Sequence, residues 1–369
     1  MDVLALHRDR FKVFGLAAGT RTGRLADQIA VWKPERVVVK GPNEAAELRR
    51  IVQDGWQGEI SQGELALAEL AGDSRADIVV NGLVGALGLP PTLAALKTGR
   101  RVALANKESM VMAGPLLRET ARRHGGQILP VDSEHSSLFQ LLENINPDSV
   151  ARLILTASGG PFRTLPLDQL KNVKVDQALD HPTWNMGPRI TVDSASLMNK
   201  GLELIEACYL FQVPIDHIEV WIHPQSIVHA LIELRDGSLL AQLSQPDMRI
   251  PIQYALTYPE RLASPAGPCS LPAIGNLSFE DLDLKRYPCL ALAQNAARRG
   301  GTAPAMLNAA DEVFVNAFLR EKIPFTDIPR LLKQIMSESD GGEADSVEKI
   351  MEADRWARNA AGLLVGSGT

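Results

Sequence analysis

The sequence predicts an α/β protein with a doubly wound parallel sheet in its first third, an α+β middle and a helical C-terminal part. Up to about residue 131, short apolar runs alternate with helical patterns, which is typical of parallel strands buried on both faces. A hairpin signal, Asp236-Gly237 between two alternating runs, indicates antiparallel pairing in the middle. After a proline-rich stretch, only helical patterns remain.

The first third supplies the parallel strands. Apolar runs predict strands at 11–18, 36–40, 77–81, 102–105 and 127–131. Helical patterns separate them at 25–32, 43–53, 91–97 and 107–124. Asn43 is the expected N-cap of its helix. Parallel sheets bind ligands at the carboxyl ends of their strands, and Gly19, Asn106 and Asp132 stand at such ends.

The rest of the chain changes in character. Strands are predicted at 151–156, 217–222, 227–234 and 238–243, and a helix at 194–211. Segment 181–190, rich in Pro, Gly and Asn, is predicted to be an exposed loop or lid carrying Trp184 and Met186. C-terminal helices are predicted at 290–297, 305–320, 328–337 and 344–361. The resulting domains are 1–131, 132–257 and 285–369, with a linker at 258–284.

Composition excludes several classes of protein. The net charge of −6, without a Lys/Arg-rich stripe, argues against nucleic-acid binding. The longest apolar stretch, 78–96, is interrupted by Asn81 and two prolines, so we expect no membrane span. Residues 1–10 do not form a signal peptide. Three widely separated cysteines form no CxxC pair and indicate a reducing compartment, so the expected location is the cytoplasm.

Three carboxylates suggest a metal site. Asp132 and Glu134, two residues apart at a strand end, point the same way, and a cation would relieve their repulsion. The alternative is a solvated helix cap. Glu203 shares a helix face with Asn199 and Lys200, where the alternative is an ordinary surface ion pair. Oxygen ligands favour Mg²⁺ or Mn²⁺ over Zn²⁺.

A second group of residues suggests an anion site. Ser158-Gly159-Gly160 follows a strand, so its backbone N–H groups are placed to bind a phosphate, although a plain glycine turn explains the motif as well. His181 beside the lid is a candidate substrate contact, and His223 is a candidate for shaping the site. For each single histidine, a structural role is the commoner outcome.

Seven ordered motifs together carry a resemblance. They are 105–109 (Ala-Asn-Lys-Glu-Ser), 130–135 (Pro-Val-Asp-Ser-Glu-His), 158–162 (Ser-Gly-Gly-Pro-Phe), 181–187 (His-Pro-Thr-Trp-Asn-Met-Gly), 192–195 (Val-Asp-Ser-Ala), 198–203 (Met-Asn-Lys-Gly-Leu-Glu) and 222–226 (Ile-His-Pro-Gln-Ser). This set resembles the 1-deoxy-D-xylulose 5-phosphate reductoisomerase family. The resemblance implies an NADPH-binding Rossmann domain, a catalytic domain that forms a homodimer, a linker and a helical domain. It also implies isomerisation of that phosphosugar and its reduction to 2-C-methyl-D-erythritol 4-phosphate, in isoprenoid-precursor synthesis.

The resemblance also assigns roles. It implies Asp132, Glu134 and Glu203 as ligands of Mg²⁺ or Mn²⁺, with Co²⁺ also possible, and Lys107 and His181 as further catalytic residues. The implied substrate contacts are Lys107, Ser133, Glu134, Ser158, His181, Ser194, Asn199, Lys200 and Glu203. The implied NADPH contacts are Gly19, Thr20, Arg21, Asn106, Glu108, Gly187 and Met248. Trp184 and Met186 would lie on a lid that excludes water.

Two departures leave alternatives open. The chain starts at Met1 inside the helix that follows the family's first strand and Gly-rich turn, a segment of roughly fifteen to twenty residues. Thr20-Arg21 stands where the family often has a basic residue and Asn near the 2′-phosphate, which Arg21 would serve from a position shifted by one. One alternative is therefore a truncated chain that keeps the metal and phosphosugar site but is defective in NADPH binding. The other is a metal-dependent sugar-phosphate isomerase without nicotinamide, which leaves the Rossmann half without a purpose.

Overall fold

The computed structural model describes residues 1–52, 55–184 and 186–366, and the chain divides into two compact units. The first unit comprises residues 1–106, 117–129 and 252–265. The second comprises 107–116, 130–251 and 266–369. The division differs from the domain boundaries predicted at 131, 257 and 284, because the C-terminal helices belong to the same compact unit as the predicted catalytic residues.

The first unit confirms the parallel α/β class, with its strands divided between two sheets. One sheet has the order β1-β2-β3 with parallel pairing, and the other has the order β4-β5-β6. The six strands are β1 (Gly15–Ala18), β2 (Arg36–Val39), β3 (Glu59–Gln62), β4 (Ile78–Asn81), β5 (Arg101–Leu104) and β6 (Gln127–Pro130). Strand β3 was not predicted, because its mixed polar sequence lacks the apolar run by which the buried strands were recognised.

Helices flank these strands. They are α1 (Asp2–Leu6), α2 (Thr22–Trp32), α3 (Pro42–Val52), α4 (Gly63–Ala71), α5 (Leu89–Lys97) and α6 (Lys107–His124), of which α6 begins in the second unit. The prediction of Asn43 as an N-cap is wrong, since α3 already begins at Pro42. Proline fits the first helical turn because its φ is fixed and it needs no N–H partner. Gln53, predicted to end this helix, lies outside the described residues.

The second unit is built on a four-stranded mixed sheet of order β10-β9-β7-β8. Strand β7 (Val150–Ala157) pairs in parallel with β8 (Ile218–Ile222) and antiparallel with β9 (Val228–Leu234). Strands β9 and β10 (Leu239–Leu243) form the predicted hairpin, and Asp236 Oδ1 accepts the backbone N–H of Ser238 at 2.9 Å.

Some helices of this unit carry predicted site residues, and others form its C-terminal part. They are α7 (Ser133–Leu142), α8 (Val175–Leu179), α9 (Pro188–Ser196), α10 (Met198–Phe211), α11 (Arg249–Thr257), α12 (Leu271–Ile274), α13 (Pro288–Arg299), α14 (Ala303–Leu319), α15 (Asp327–Glu338) and α16 (Val347–Gly366), with α11 ending in the first unit. The predicted loop 181–190 is shorter than expected, since α9 begins at Pro188. The single helix predicted at 194–211 is two helices, separated at Leu197, which has φ 55°.

Two of the hydrophobic cores described in the second unit surround the helices that carry the predicted site. One packs α9 and α10 against the C-terminal helices around residues such as Phe314 and Ile335. The other lies between the sheet and helices α7 and α10, with Leu138, Leu155 and Leu204 fully buried. Helix α10 therefore contributes to both cores, which fixes the side chains on its first two turns. Among the described residues, no helix is long and apolar enough to cross a bilayer.

Candidate active site

Asp132 is a helix cap and also the partner of a buried lysine. It is the N-cap of α7, and its Oδ1 accepts the backbone N–H of Glu134 at 3.4 Å, so the predicted cap is present. Its side chain is only 13% exposed, so the cap is not solvated as that alternative assumed. Its Oδ2 lies 2.8 Å from Lys107 Nζ. One carboxylate thus anchors the start of α7 and also faces a buried ammonium group, because each carboxylate has several acceptor positions.

Two buried lysines join the three predicted carboxylates into one cluster. Lys107 Nζ contacts Asp132 and, at 3.1 Å, Glu203 Oε1. Lys200 Nζ lies 2.6 Å from Glu134 Oε1 and 2.5 Å from Glu203 Oε2. Glu203 is only 1% exposed, so the surface-pair alternative for this residue is wrong. We call these five residues the carboxylate–lysine cluster.

Burial and neighbouring charges act against each other in this cluster. Burial disfavours the charged form of Lys107, but Asp132 and Glu203 outweigh it and raise its pKa well above the usual value. Burial likewise opposes ionisation of Asp132, yet Lys107 and His135 hold its pKa well below the usual value. Burial and repulsion from Glu203 raise the pKa of Glu134 to about 7. The cluster is thus an ionic network in which each charge depends on its neighbours.

The donor set fits a hard divalent cation. Ligand atoms of Asp132, His135 and Glu203 lie within 4.8 Å of one another. Glu134, the third predicted ligand, is bonded to Lys200, and Ser133 Oγ donates to its other oxygen. The group of three therefore contains His135 in place of Glu134, and it offers the carboxylate oxygens of Asp132 and Glu203, the ligand type that Mg²⁺ and Mn²⁺ prefer.

Sequence reasoning missed His135 and Glu206. His135 Nε2 is 2.9 Å from the carbonyl oxygen of Glu203, and its Nδ1 is 3.3 Å from Asp132 Oδ1 and 3.7 Å from Glu206 Oε2. Burial opposes protonation of His135, but Glu206 and Asp132 raise its pKa to about 9. The available signal was spacing, because each lies one helical turn after a recognised residue.

A second cluster, of neutral donors, surrounds His181. His181 Nε2 lies 3.1 Å from Ser158 Oγ and 3.1 Å from Ser194 Oγ. Its Nδ1 accepts backbone N–H groups of Thr183 at 3.1 Å and Trp184 at 2.9 Å, which leaves the proton on Nε2. Burial lowers the pKa of His181, which also favours the neutral ring. We call His181, Ser158 and Ser194 the hydroxyl–imidazole cluster.

Asn199 belongs to the carboxylate–lysine side of the site. Its Oδ1 accepts from Lys107 Nζ at 2.7 Å, and its Nδ2 donates to Glu203 Oε1 at 2.6 Å. On the predicted lid, the half-buried Trp184 ring lies 6.4 Å from the ring of His229. Gly187 is the exposed N-cap of α9, where the lid segment ends.

The predicted cofactor residues fall in both units. Gly19, Thr20 and Arg21 are exposed at the carboxyl end of β1 in the first unit. Asn106, also in that unit, is buried and donates through Nδ2 to the carbonyl oxygens of Leu83 and Gly85.

The second unit holds the other three. Met248 and Gly187 are exposed, whereas Glu108 is buried and its Oε1 accepts from Arg189 Nη1 at 3.0 Å. Arg189 was not singled out from the sequence, because it lies within the segment predicted to be a loop.

Family models match most of the chain. A model of 1-deoxy-D-xylulose 5-phosphate reductoisomerase matches residues 1–114, and the model of that enzyme's C-terminal domain matches 128–211. A further DXP reductoisomerase C-terminal domain model matches 243–360. The matches together follow the chain through both units.

Curated relatives and solved structures carry the same name. The reductoisomerase of Cupriavidus pinatubonensis is 50% identical over 365 residues, covering 98% of this chain and 92% of the relative. That of Chlorobium phaeovibrioides is 46% identical over 367 residues, covering 100% and 96%.

Two solved structures are similar in fold as well as in sequence. A DOX-P reductoisomerase in complex with NADPH, fosmidomycin and magnesium has a TM-score of 0.92 at 41% identity, covering 99% of this chain and 94% of that one. The Zymomonas mobilis enzyme in complex with NADPH has a TM-score of 0.92 at 40% identity, with the same coverage.

Proposed function

The chain belongs to the 1-deoxy-D-xylulose 5-phosphate reductoisomerase family, and from this we infer the function of its site. The protein is an NADPH- and divalent-metal-dependent oxidoreductase that isomerises 1-deoxy-D-xylulose 5-phosphate and reduces the product to 2-C-methyl-D-erythritol 4-phosphate. The buried carboxylate–lysine cluster is the observation that supports this inference most strongly, since its carboxylates would bind the metal and its lysines would contact the substrate. The family relationship supports neither the metal-dependent isomerase nor the defective NADPH binder.

Asp132, Glu134 and Glu203 would hold the metal. When bound, Mg²⁺ or Mn²⁺ supplies a Lewis acid and a template for the carbonyl and hydroxyl oxygens of the substrate. Lys107 and Lys200 then balance the charge of the carboxylates. The three N–H groups of Lys107 are directed at Asp132, Glu203 and Asn199, so Lys107 would contact the substrate by exchanging one of these acceptors. Lys200 is bonded to Glu134 and Glu203, and its third N–H can donate to a substrate oxygen. His135 fixes the start of α7 against α10, which keeps Asp132 facing Glu203.

The hydroxyl–imidazole cluster would bind the substrate phosphate. Neutral His181 keeps a proton on Nε2, so this nitrogen and the hydroxyls of Ser158 and Ser194 can all donate to phosphate oxygens. Gly160 N, now donating to Ser158 Oγ at 3.2 Å, adds a backbone donor at the same turn. Ser133, Asn199 and Lys200 would contact the hydroxylated carbons. Binding the phosphate away from the reacting carbons orients them, and closure of the lid residues Trp184 and Met186 excludes water.

NADPH would be bound by the residues that the family resemblance implies: Gly19, Thr20, Arg21, Asn106, Glu108, Gly187 and Met248. Exposure of Gly19 to Arg21 supports this, because the carboxyl end of β1 is open to a ligand. Arg21 is the one guanidinium of this group and would pair with the 2′-phosphate.

A homodimer in the cytoplasm is also part of the proposal. Strand β10 is the edge of the four-stranded sheet, and it exposes Leu239 and Leu240. An apolar, unpaired edge is a surface that a second copy of the chain would cover. Light scattering of the purified protein should give twice the mass of the chain, and the double substitution Leu239→Glu and Leu240→Glu should give the mass of one chain.

The activity is tested by mixing the purified chain with 1-deoxy-D-xylulose 5-phosphate, NADPH and Mg²⁺. We expect loss of NADPH absorbance and formation of 2-C-methyl-D-erythritol 4-phosphate, both stopped by a chelator and restored by added Mn²⁺. Conversion of the substrate without NADPH oxidation would support the isomerase alternative instead. Metal and phosphosugar binding without turnover would support the defective NADPH binder.

A further inference from the structure

Arg189 is the centre of a buried charge network that has no assigned role, although one of its members, Glu108, is also a proposed NADPH contact. Its side chain is 13% exposed and lies on the first turn of α9, directly after the lid segment. Nη1 is 3.0 Å from Glu108 Oε1 on α6 and 3.3 Å from Glu312 Oε2 on α14. Nη2 donates to Asn308 Oδ1, also on α14, at 2.9 Å. One guanidinium therefore ties three helices of the second unit together.

The network contains more acids than bases. Asp193 Oδ2 and Asp311 Oδ2 lie 3.6 and 3.7 Å from Arg189 nitrogens, and both residues are buried. Burial opposes the charge on Arg189, but Asp193 and Asp311 outweigh this and raise its pKa. Removing Arg189 would leave these carboxylates buried without their common partner, and they would separate or take up water or protons.

The helices joined by Arg189 carry residues of the proposed site. Helix α9 carries Ser194, five residues after Arg189, and Ser194 belongs to the hydroxyl–imidazole cluster. The loop before α9 carries His181 and the lid. On α6, Glu108 directly follows Lys107. Helix α14, by contrast, belongs to the C-terminal core and contributes no residue to the proposed site.

We propose that Arg189 is a positioning residue for substrate binding, which holds α9, and with it Ser194 and the His181 loop, in register with the C-terminal helices. This inference rests on the proposed phosphate-binding role of Ser194 and His181. The guanidinium is suited to the task because its planar fork reaches acceptors on two other helices at once, which a lysine ammonium on a flexible stem does with less fixed geometry. The C-terminal helices thereby gain a function in substrate recognition, although they do not touch the substrate.

A second arginine provides a matched control. Arg358 on α16 lies 2.9 Å from Glu312 Oε2 and 2.7 Å from Asp354 Oδ2. It belongs to the same acidic network and shares Glu312 with Arg189, yet both of its partners lie on α14 and α16. Arg358→Met and Arg189→Met each remove one cation from the network, but only the second releases α9 and α6.

The experiment measures KM and kcat for the phosphosugar, the inhibition constant of inorganic phosphate and the thermal midpoint of each variant. For Arg189→Met we expect KM and the phosphate inhibition constant to rise about tenfold or more, since sub-ångström misplacement of binding groups is costly. We expect a smaller change in kcat, because Lys107 keeps its own bonds to Asp132 and Glu203. Arg358→Met should lower the thermal midpoint while leaving both constants within about twofold of the unsubstituted chain.

Two further variants keep the result decisive. Arg189→Lys retains the charge and should give an intermediate KM, even if Arg189→Met fails to fold. Ser194→Ala tests the proposed phosphate contact itself. If Ser194→Ala raises KM but neither Arg189 variant does, or if Arg358→Met raises KM as much as Arg189→Met, the positioning role is wrong. If Ser194→Ala leaves KM and phosphate inhibition unchanged, Ser194 does not bind the phosphate. That result would refute the proposed phosphate site, on which the positioning role rests.

Discussion

The carboxylate–lysine cluster, the proposed metal site, and the end of β1, a proposed part of the cofactor site, are built in opposite ways. In the cluster, Lys107 and Lys200 link three carboxylates at 2.5–3.1 Å, and Glu203 is almost fully buried. At the end of β1, Gly19, Thr20 and Arg21 are exposed. The side chains of the cluster are held in place by ion pairs with one another. The exposed residues at the end of β1 would be held in place only by contacts with a bound ligand.

The difference predicts how each region responds to substitution. Removing one charge from a buried network leaves another charge without its partner, so the damage extends beyond the altered residue. Removing an exposed charge lowers ligand affinity only by the free energy of the contact that this charge makes with the ligand. Substitutions in the cluster should therefore cause large losses of activity that are similar for each of its members. Substitutions at the end of β1 should cause small losses of affinity for one ligand.

The largest effect is expected for the metal ligands. Asp132→Asn, Glu134→Gln and Glu203→Gln should each lower Mg²⁺-dependent turnover by more than about a hundredfold, since even outer-shell partners of metals are worth ten- to a hundredfold. Glu219→Gln is the control, because Glu219 pairs with Arg152 on the exposed sheet surface. Near-normal turnover in any of the three would remove that residue from the ligand set.

The lid should give the next largest effect. Trp184→Ala is expected to weaken binding of a phosphonate substrate mimic by about ten- to thirtyfold and to slow turnover, because a half-buried indole contributes a large apolar area. Trp356→Ala, on the exposed side of α16, serves as the control. Equal kinetics for the two variants would make Trp184 an ordinary half-buried aromatic.

A smaller effect, limited to one cofactor, is expected at the end of β1. Arg21→Ala should raise KM for NADPH about fivefold and leave KM for NADH nearly unchanged, since only NADPH has a 2′-phosphate to pair with the guanidinium. Arg24→Ala is the control. It removes an exposed charge from the first turn of α2, the helix that Arg21 precedes, and should change KM for neither cofactor. If Arg21→Ala raises KM equally for both cofactors, Arg21 acts only as a positive surface charge and does not pair with the 2′-phosphate.

The smallest effect at neutral pH is expected for His229, which is buried in β9. Burial lowers its pKa to about 4 from the usual 6.5, so the unfolded chain takes up a proton before the folded chain does. Its contribution to stability is therefore complete above pH 6.5 and decreases as the pH falls towards 4, by about 3 kcal/mol in total.

Urea unfolding between pH 7.5 and 4.5 measures this contribution. His229→Asn should flatten the loss of stability on acidification, whereas His124→Asn, at an exposed histidine, should leave it as in the unsubstituted chain. The same acid dependence in both variants would show that other groups control it.

Local sequence patterns predicted most of the helices and strands. The ordered motifs predicted that Lys107, Asp132, Glu134, Lys200 and Glu203 lie close together. The hairpin at Asp236-Gly237 and the strand β7 before Ser158 follow from turn chemistry and apolar runs. The break at Leu197 was not predictable, since a non-glycine residue at positive φ has no sequence signal of its own. Burial of Glu203 was not predictable either, because a Lys-Glu spacing looks the same on a surface helix and in a core.

Tertiary charge networks were the least predictable feature. Arg189 contacts Glu108 and Glu312, residues 81 and 123 positions away, and no local pattern encodes such a meeting. Its place at the start of α9 was hidden because Pro188, a helix-starting residue, was interpreted as part of a loop.

Metal affinity tests the central claim most directly, namely that the carboxylate–lysine cluster is the metal centre of this reductoisomerase. Isothermal titration calorimetry would follow Mn²⁺ binding to the unsubstituted chain, Glu203→Gln and Glu219→Gln. The account predicts one Mn²⁺ per chain with equal affinity for the unsubstituted chain and Glu219→Gln, and binding weaker by more than about a hundredfold for Glu203→Gln. Equal Mn²⁺ affinity for all three proteins would contradict it.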